Sequence, residues 1–297
     1  MLSDDQYNQI FKPENGYQLG FAEYGKLDGI PLFHFHGTPS FGRLEGLLYN
    51  ENAFENNIHL IIIDRPGYGL SDFQSEFNLL DWPEYVVEIA DRLGIQFFHV
   101  SGYSGGGPFA LACAYKFPKK IASCSVIAGP YKHEANTQQF NEFKELIKAG
   151  KYPPQWVEWF QSYQNASEAE KTEITLRDLK KFSDNSPPSD VKYFQDPEYQ
   201  QIHCQLEKKA TVPSLADAML VDWQILLQFR PWNFHVKEIP SSVKINLYYG
   251  EMDIPTIHQG KKLAQELPFA KFIIYQENGH KSTLLDNIDE IFENLKF

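Results

Sequence analysis

Short apolar runs alternate with amphipathic stretches over the first 130 residues, and their spacing predicts strands separated by helices. Ile58 to Ile63 reads IHLIII and stops at Asp64, the pattern of a strand buried on both faces. Tyr17 to Tyr24, Ile30 to His36, Phe97 to Tyr103 and Ile121 to Ala128 read as further strands. Between them, Asn78 to Leu93 carries Leu79, Trp82, Val86, Ile89, Ala90 and Leu93 at helical spacing, with Gly94 at the expected stop. Gly105 to Phe117 reads as another helix, ended by Pro118. Strands alternating with helices predict an α/β fold, a mostly parallel sheet with helices on both faces.

The pattern changes after Pro130. Residues 131–235 are mostly polar and helix-prone, with loop signals at Pro153-Pro154 and at Ser186-Pro187-Pro188-Ser189. Trp156, Trp159, Trp223 and Trp232 all lie in this stretch, and only Trp82 lies outside it. The alternation then resumes: Val243 to Tyr249 and Lys271 to Gln276 as strands, Thr256 to Leu267 and Thr283 to Leu295 as helices. The stretch is too long for an ordinary loop. The expected organisation is therefore an α/β core from residues 1–130 and 236–297, with 131–235 inserted as a helical cap.

The charge balance narrows the partners. The 297 residues carry 27 basic and 39 acidic side chains, a net −12. That is the wrong sign for a nucleic-acid footprint or an anionic membrane surface. Cys113, Cys124 and Cys204 are widely spaced and form neither a disulfide framework nor a zinc pattern. There is no H-E-x-x-H, P-loop or dinucleotide fingerprint, so no metal or other cofactor is expected. The N-terminal stretch lacks the basic and apolar segments of a signal peptide, and the apolar runs are far short of a membrane span. A cytoplasmic protein acting on a small molecule is the expectation, with the oligomeric state open.

Gly102-Tyr103-Ser104-Gly105-Gly106 fits G-x-S-x-G where a predicted strand meets a predicted helix. Glycines relieve crowding in such a turn and leave the serine hydroxyl exposed above the sheet. An incidental serine in a Gly-rich turn produces the same letters, so the motif needs its context. Upstream, His36-Gly37-Thr38-Pro39 closes the second predicted strand, where the Thr38 N–H could pair with that of Gly105 as an oxyanion hole.

These two motifs flank Asp64-Arg65-Pro66-Gly67-Tyr68-Gly69-Leu70-Ser71-Asp72, and the three in this order resemble the α/β-hydrolase superfamily, specifically its cap-bearing, cofactor-free serine hydrolases. The esterase and proline-iminopeptidase-like branch is the nearest in kind. The resemblance implies a structural role for the Asp64–Asp72 loop. It also implies the chain order serine, acid, histidine, each at a strand's carboxyl end. Asp253 follows the Val243–Tyr249 strand and His280 follows the Lys271–Gln276 strand, as that order demands. Glu251 and Glu134 are the rivals for the acid. His59 and His99 lie within predicted strands, His133, His203 and His235 in or beside the insertion, and His258 in a helix.

On this reading Ser104 attacks an acyl carbonyl, His280 takes its proton and Asp253 orients the imidazole. The expected kcat/KM falls as the base protonates, with an apparent pKa of about 6–7. The haloalkane dehalogenase and epoxide hydrolase branches carry Asp at the Ser104 position and are disfavoured. Carboxylic esters and lactones lead; amide or peptide cleavage and C–C bond hydrolysis use the same triad. A small-ligand-binding or signalling protein on the same frame is the alternative of another class. His36, Tyr103, Trp156, Trp159 and Trp223 are the candidate pocket residues. The tryptophans would equally serve as the insertion's own core. The resemblance to proline-iminopeptidase-like hydrolases, whose acidic cap residues bind the substrate's free amine, makes Glu134, Glu158 and Asp222 candidates for that role, though a solvated surface would explain most of them equally well.

Overall fold

The computed structural model describes residues 4–14, 16–132 and 137–295. Among them eight strands form one sheet: β1 (Gln9–Phe11), β2 (Leu19–Gly25), β3 (Ile30–Phe35), β4 (Ile58–Ile63), β5 (Phe98–Tyr103), β6 (Ile121–Ile127), β7 (Lys244–Gly250) and β8 (Lys271–Tyr275). Their spatial order is β1-β2-β4-β3-β5-β6-β7-β8. Pairing is parallel from β4 through β8, whereas β1 and β2 run antiparallel at one edge. Every residue of β4 is buried, as its unbroken apolar run requires of a strand covered on both faces.

Alternate residues of each strand feed two apolar layers. Phe33, Phe35, Ile61, Val100, Val126 and Leu247 belong to one, Leu32, Leu60, Ile62, Ile127 and Tyr248 to the other. The helices before the insertion are α1 (Asp4–Tyr7), α2 (Asn50–Glu55), α3 (Trp82–Arg92) and α4 (Gly107–Lys116). α4 is buried from Gly107 to Ala114, and its Phe109 meets the ring of Trp82 edge-on. Among the described residues six α-helices separate β6 from β7: α5 (Gln138–Lys148), α6 (Pro154–Asn165), α7 (Glu168–Asp184), α8 (Pro188–Gln195), α9 (Pro197–Ala210) and α10 (Leu215–Leu226). The chain then adds α11 (Ile254–Glu266), α12 (His280–Leu285) and α13 (Ile288–Glu293). No helix among the described residues is long and apolar enough to cross a membrane.

Two expected helices differ, and two short elements were not foreseen. The helix expected from Asn78 opens instead with a tight 3₁₀ turn, Leu79–Asp81, and α3 starts at Trp82 with Pro83 in its first turn. The closing helix expected over Thr283–Leu295 is split into α12 and α13. There the Asn287 amide donates to the carbonyl oxygens of Ser282 and Thr283, competing with the helical backbone pattern. β1 and α2 had no periodic signature: three and six residues are too short for one.

Candidate active site

The predicted functional residues converge on the carboxyl edge of the sheet, where α/β folds hold their ligands. Thr38 follows β3, Ser104 follows β5, Asp253 follows β7 and His280 follows β8. Ser104 stands at φ +50°, a left-handed conformation that a residue with a side chain adopts only where its surroundings enforce it. The surrounding glycines show how tight the turn is. A Cβ on Gly102 would lie 2.2 Å from the Gly106 carbonyl oxygen, and one on Gly106 only 2.0 Å from that of Phe35. On Gly105 it would meet Thr38 Oγ1 at 2.5 Å and the Thr38 nitrogen at 3.1 Å. Thr38 and Gly105 are thus packed backbone to backbone beside Ser104.

The acid and base candidates meet across adjacent parallel strands. His280 Nδ1 lies 2.6 Å from Asp253 Oδ2. An ionised carboxylate only accepts, so Nδ1 carries the proton and Nε2 is the accepting nitrogen. Asp253 also accepts from Thr256 Oγ1. The two loops are laced together by the Glu251 and Met252 N–H groups, which donate to the carbonyls of Tyr275 and Asn278 at 2.9 and 3.0 Å. Burial works against both charges, yet the interaction with His280 holds the Asp253 carboxyl below its usual range, and Asp253 holds the imidazole above its own. The Tyr103 ring packs 5.1 Å from that of His280, and its hydroxyl donates to the His280 carbonyl at 3.3 Å. Ser104 follows Tyr103 directly, so the base stands beside the turn.

A buried ion pair braces the Thr38 side. Arg65 and Asp222 pair at 2.6 Å with side chains 0% and 3% exposed. The Arg65 guanidinium donates to the Gly37 carbonyl at 2.7 Å and to Thr38 Oγ1 at 2.8 Å, and also to the His36 carbonyl. Thr38 Oγ1 and the Tyr68 hydroxyl donate to Asp222 Oδ2 at 2.7 and 2.8 Å. Asp222 is therefore no solvated surface acid: α10 buries it against the core. Glu158 is exposed, as a surface position should be, and Glu134 lies outside the described residues.

Two of the five pocket candidates need restating. His36 is fully buried; its Nδ1 donates to the Gly37 carbonyl at 2.9 Å and its Nε2 accepts from the Arg65 N–H at 3.1 Å. Both nitrogens are committed to bracing the loop, so this side chain presents no face to a substrate. Trp159 stacks on Tyr163 and donates to Asp178 at 2.7 Å, contacts internal to the insertion. Trp156 and Trp223 both meet Phe143 edge-on, at 6.1 and 5.0 Å. Among the described residues no group of three or more His, Cys, Asp or Glu side chains is placed to hold a metal ion. Arg65 stood out in the sequence only as part of a structural loop and Asp222 as one acid among several, because their pairing joins residues remote in the chain.

A family model described as alpha/beta hydrolase fold matches residues 36–286. The chain is 33% identical over 169 residues to a dihydrolipoyllysine-residue acetyltransferase component of an acetoin cleaving system from Pseudomonas putida. That match takes in 56% of this chain and 44% of the relative, so the chain spans less than half the length of that protein. A meta-cleavage product hydrolase from Pseudomonas fluorescens IP01 superposes with a TM-score of 0.68 at 13% identity, covering 98% of each chain. A thermophilic esterase from Thermogutta terrifontis does so with a TM-score of 0.66 at 16% identity, covering 97% of each.

Proposed function

The chain belongs to the alpha/beta hydrolase fold family, and from that membership we propose that it is a serine hydrolase of small acyl substrates, carboxylic esters or lactones. The observation that carries this reading is the 2.6 Å bond from His280 to Asp253, made beside a serine in a strained turn at the same sheet edge. Ser104 attacks the acyl carbonyl while His280 Nε2 takes its proton. Asp253 keeps the imidazole in the tautomer this requires and stabilises the imidazolium that forms. The Thr38 and Gly105 N–H groups hold the developing oxyanion, an effect worth about 3–4 kcal/mol for each donor. His280 then returns the proton to the leaving group, and water, activated by the same base, releases the acid. The six helices between β6 and β7 serve as the cap over this edge.

Esters rank above aminoacyl amides for a physical reason. A buried acid is one way to hold a free amine, and the buried Asp222 of the insertion is already occupied by Arg65, Tyr68 and Thr38. Intact-mass analysis after treatment with a fluorophosphonate probe tests the reading. One adduct per wild-type chain and none on Ser104→Ala is expected, with short-chain esters and lactones hydrolysed by the wild type alone. No adduct on folded wild-type protein would refute an activated serine.

A further inference from the structure

The inserted helices reach the histidine loop as well as the oxyanion side. Asp190, in the first turn of α8, is 2% exposed. Its carboxylate accepts the N–H of Lys281 at 2.9 Å, the N–H of Ser282 at 2.8 Å and the hydroxyl of Ser282 at 2.6 Å. Ser189 Oγ, one residue before it, accepts the N–H of Gly279 at 3.1 Å. The approach is so close that a Cβ on Gly279 would lie 2.4 Å from Pro187 Cγ and 2.7 Å from Asp190 Cγ. The backbone on both sides of His280 therefore hangs on residues 187–190 of the insertion.

We propose that Asp190 is a positioning residue for the catalytic base, making the insertion a fixed part of the active site instead of a detachable lid. The inference rests on the reading of His280 as general base. A general base works only within hydrogen-bond reach of the proton it takes. β8 ends at Tyr275, five residues before His280, and α12 is a helix of six residues. Such a loop has little rigidity of its own, and the Asp190 carboxylate supplies the anchor by gathering three donors onto two oxygens. An insertion that swung away would release those donors and let the imidazole drift. Substrate must then enter past the cap while α8 stays docked.

Asp190→Asn is the test, because an amide offers one accepting oxygen to three donors and loses at least one bond whichever way it is turned. A base displaced by about 1 Å costs roughly 100-fold, so kcat per fluorophosphonate-reactive site should fall ~10- to 100-fold with KM within about 3-fold. The pH profile adds a readout that lost packing would not move. The groups facing His280 are Asp253 from the loop after β7, Asp190 from α8, Lys281 beside it and the Tyr103 phenol from β5. Removing the Asp190 charge lowers the proton affinity of His280, so the acid limb of kcat/KM moves to lower pH even as kcat falls. Unchanged kcat per reactive site would overturn the proposal whether or not the limb moves, because loss of the charge alone moves the limb. Should Asp190→Asn not fold, Ser282→Ala removes one of the three bonds to the Asp190 carboxylate; a roughly 2- to 5-fold loss in kcat at constant KM is expected, and no loss would overturn the proposal. The two readings fail separately: a wild type whose activity survives Ser104→Ala refutes the serine hydrolase, whereas Ser104-dependent activity indifferent to Asp190 refutes only the positioning role.

Discussion

His280 balances two opposed influences. Burial alone would depress its pKa, but the Asp253 carboxylate 2.6 Å away outweighs that and raises it. The acid limb of kcat/KM is therefore expected above the ordinary imidazole value. Asp253→Asn should move that limb to lower pH and cut kcat on the order of 10⁴-fold, since the amide no longer selects the productive tautomer. Paired pH–rate profiles check this, and a limb unmoved by the substitution would remove Asp253 from the role. At this scale the glycine-flanked turn at Ser104 was legible in the sequence, because it is a local feature; Asp253 and His280 were expectations of the family resemblance, and the structure places them 2.6 Å apart. The commitment of His36 to Arg65 and Gly37 was not, since nothing local reveals which partner a buried imidazole takes.

Among the elements, the legible ones were those with an unbroken apolar run or with burial that repeats at a fixed period. β4 matched its expected limits, and α3 buries Trp82, Tyr85, Val86, Ile89 and Ala90 on one face. Trp82 is 0% exposed and meets the rings of Phe35, Phe77 and Phe109 edge-on, joining α3 to β3 and α4. Trp82→Ala is expected to cost about 3–5 kcal/mol through lost burial and the cavity left behind. Urea unfolding measures it; a loss below ~1 kcal/mol would mean the neighbouring rings collapse into the space. The break between α12 and α13 had no such signature. It depends on the Asn287 side chain turning back onto Ser282 and Thr283, a choice that helical periodicity does not encode.

For the molecule as a whole, buried histidines tie stability to pH. Burial pushes the pKa of His34 down to about 3, and burial with the Arg65 charge holds His36 well below its usual value. The unfolded chain protonates both near pH 6.5 while the native chain binds neither proton. Stability is thus fully present above about pH 6.5 and falls on acidification, by about 1.4 kcal/mol per pH unit for each imidazole. Glu45, whose carboxyl burial raises, acts in the opposite sense and offsets part of this. Urea midpoints at pH 7, 6 and 5 should decline in that order, and equal midpoints would show that the imidazoles are solvated in the native state. Charge burial also marks the boundary between what could be read from sequence and what could not. Hydrophobic period and glycine placement determined the class of fold and the sharp turn at Ser104, because each follows from sterics within a few residues; the order serine, acid, histidine was an expectation drawn from the family resemblance. Only the tertiary structure joined Arg65 to Asp222 across 157 residues and Asp190 to Ser282 across 92. A charge leaving water must find a partner, and which one it finds is decided by the packing of distant segments.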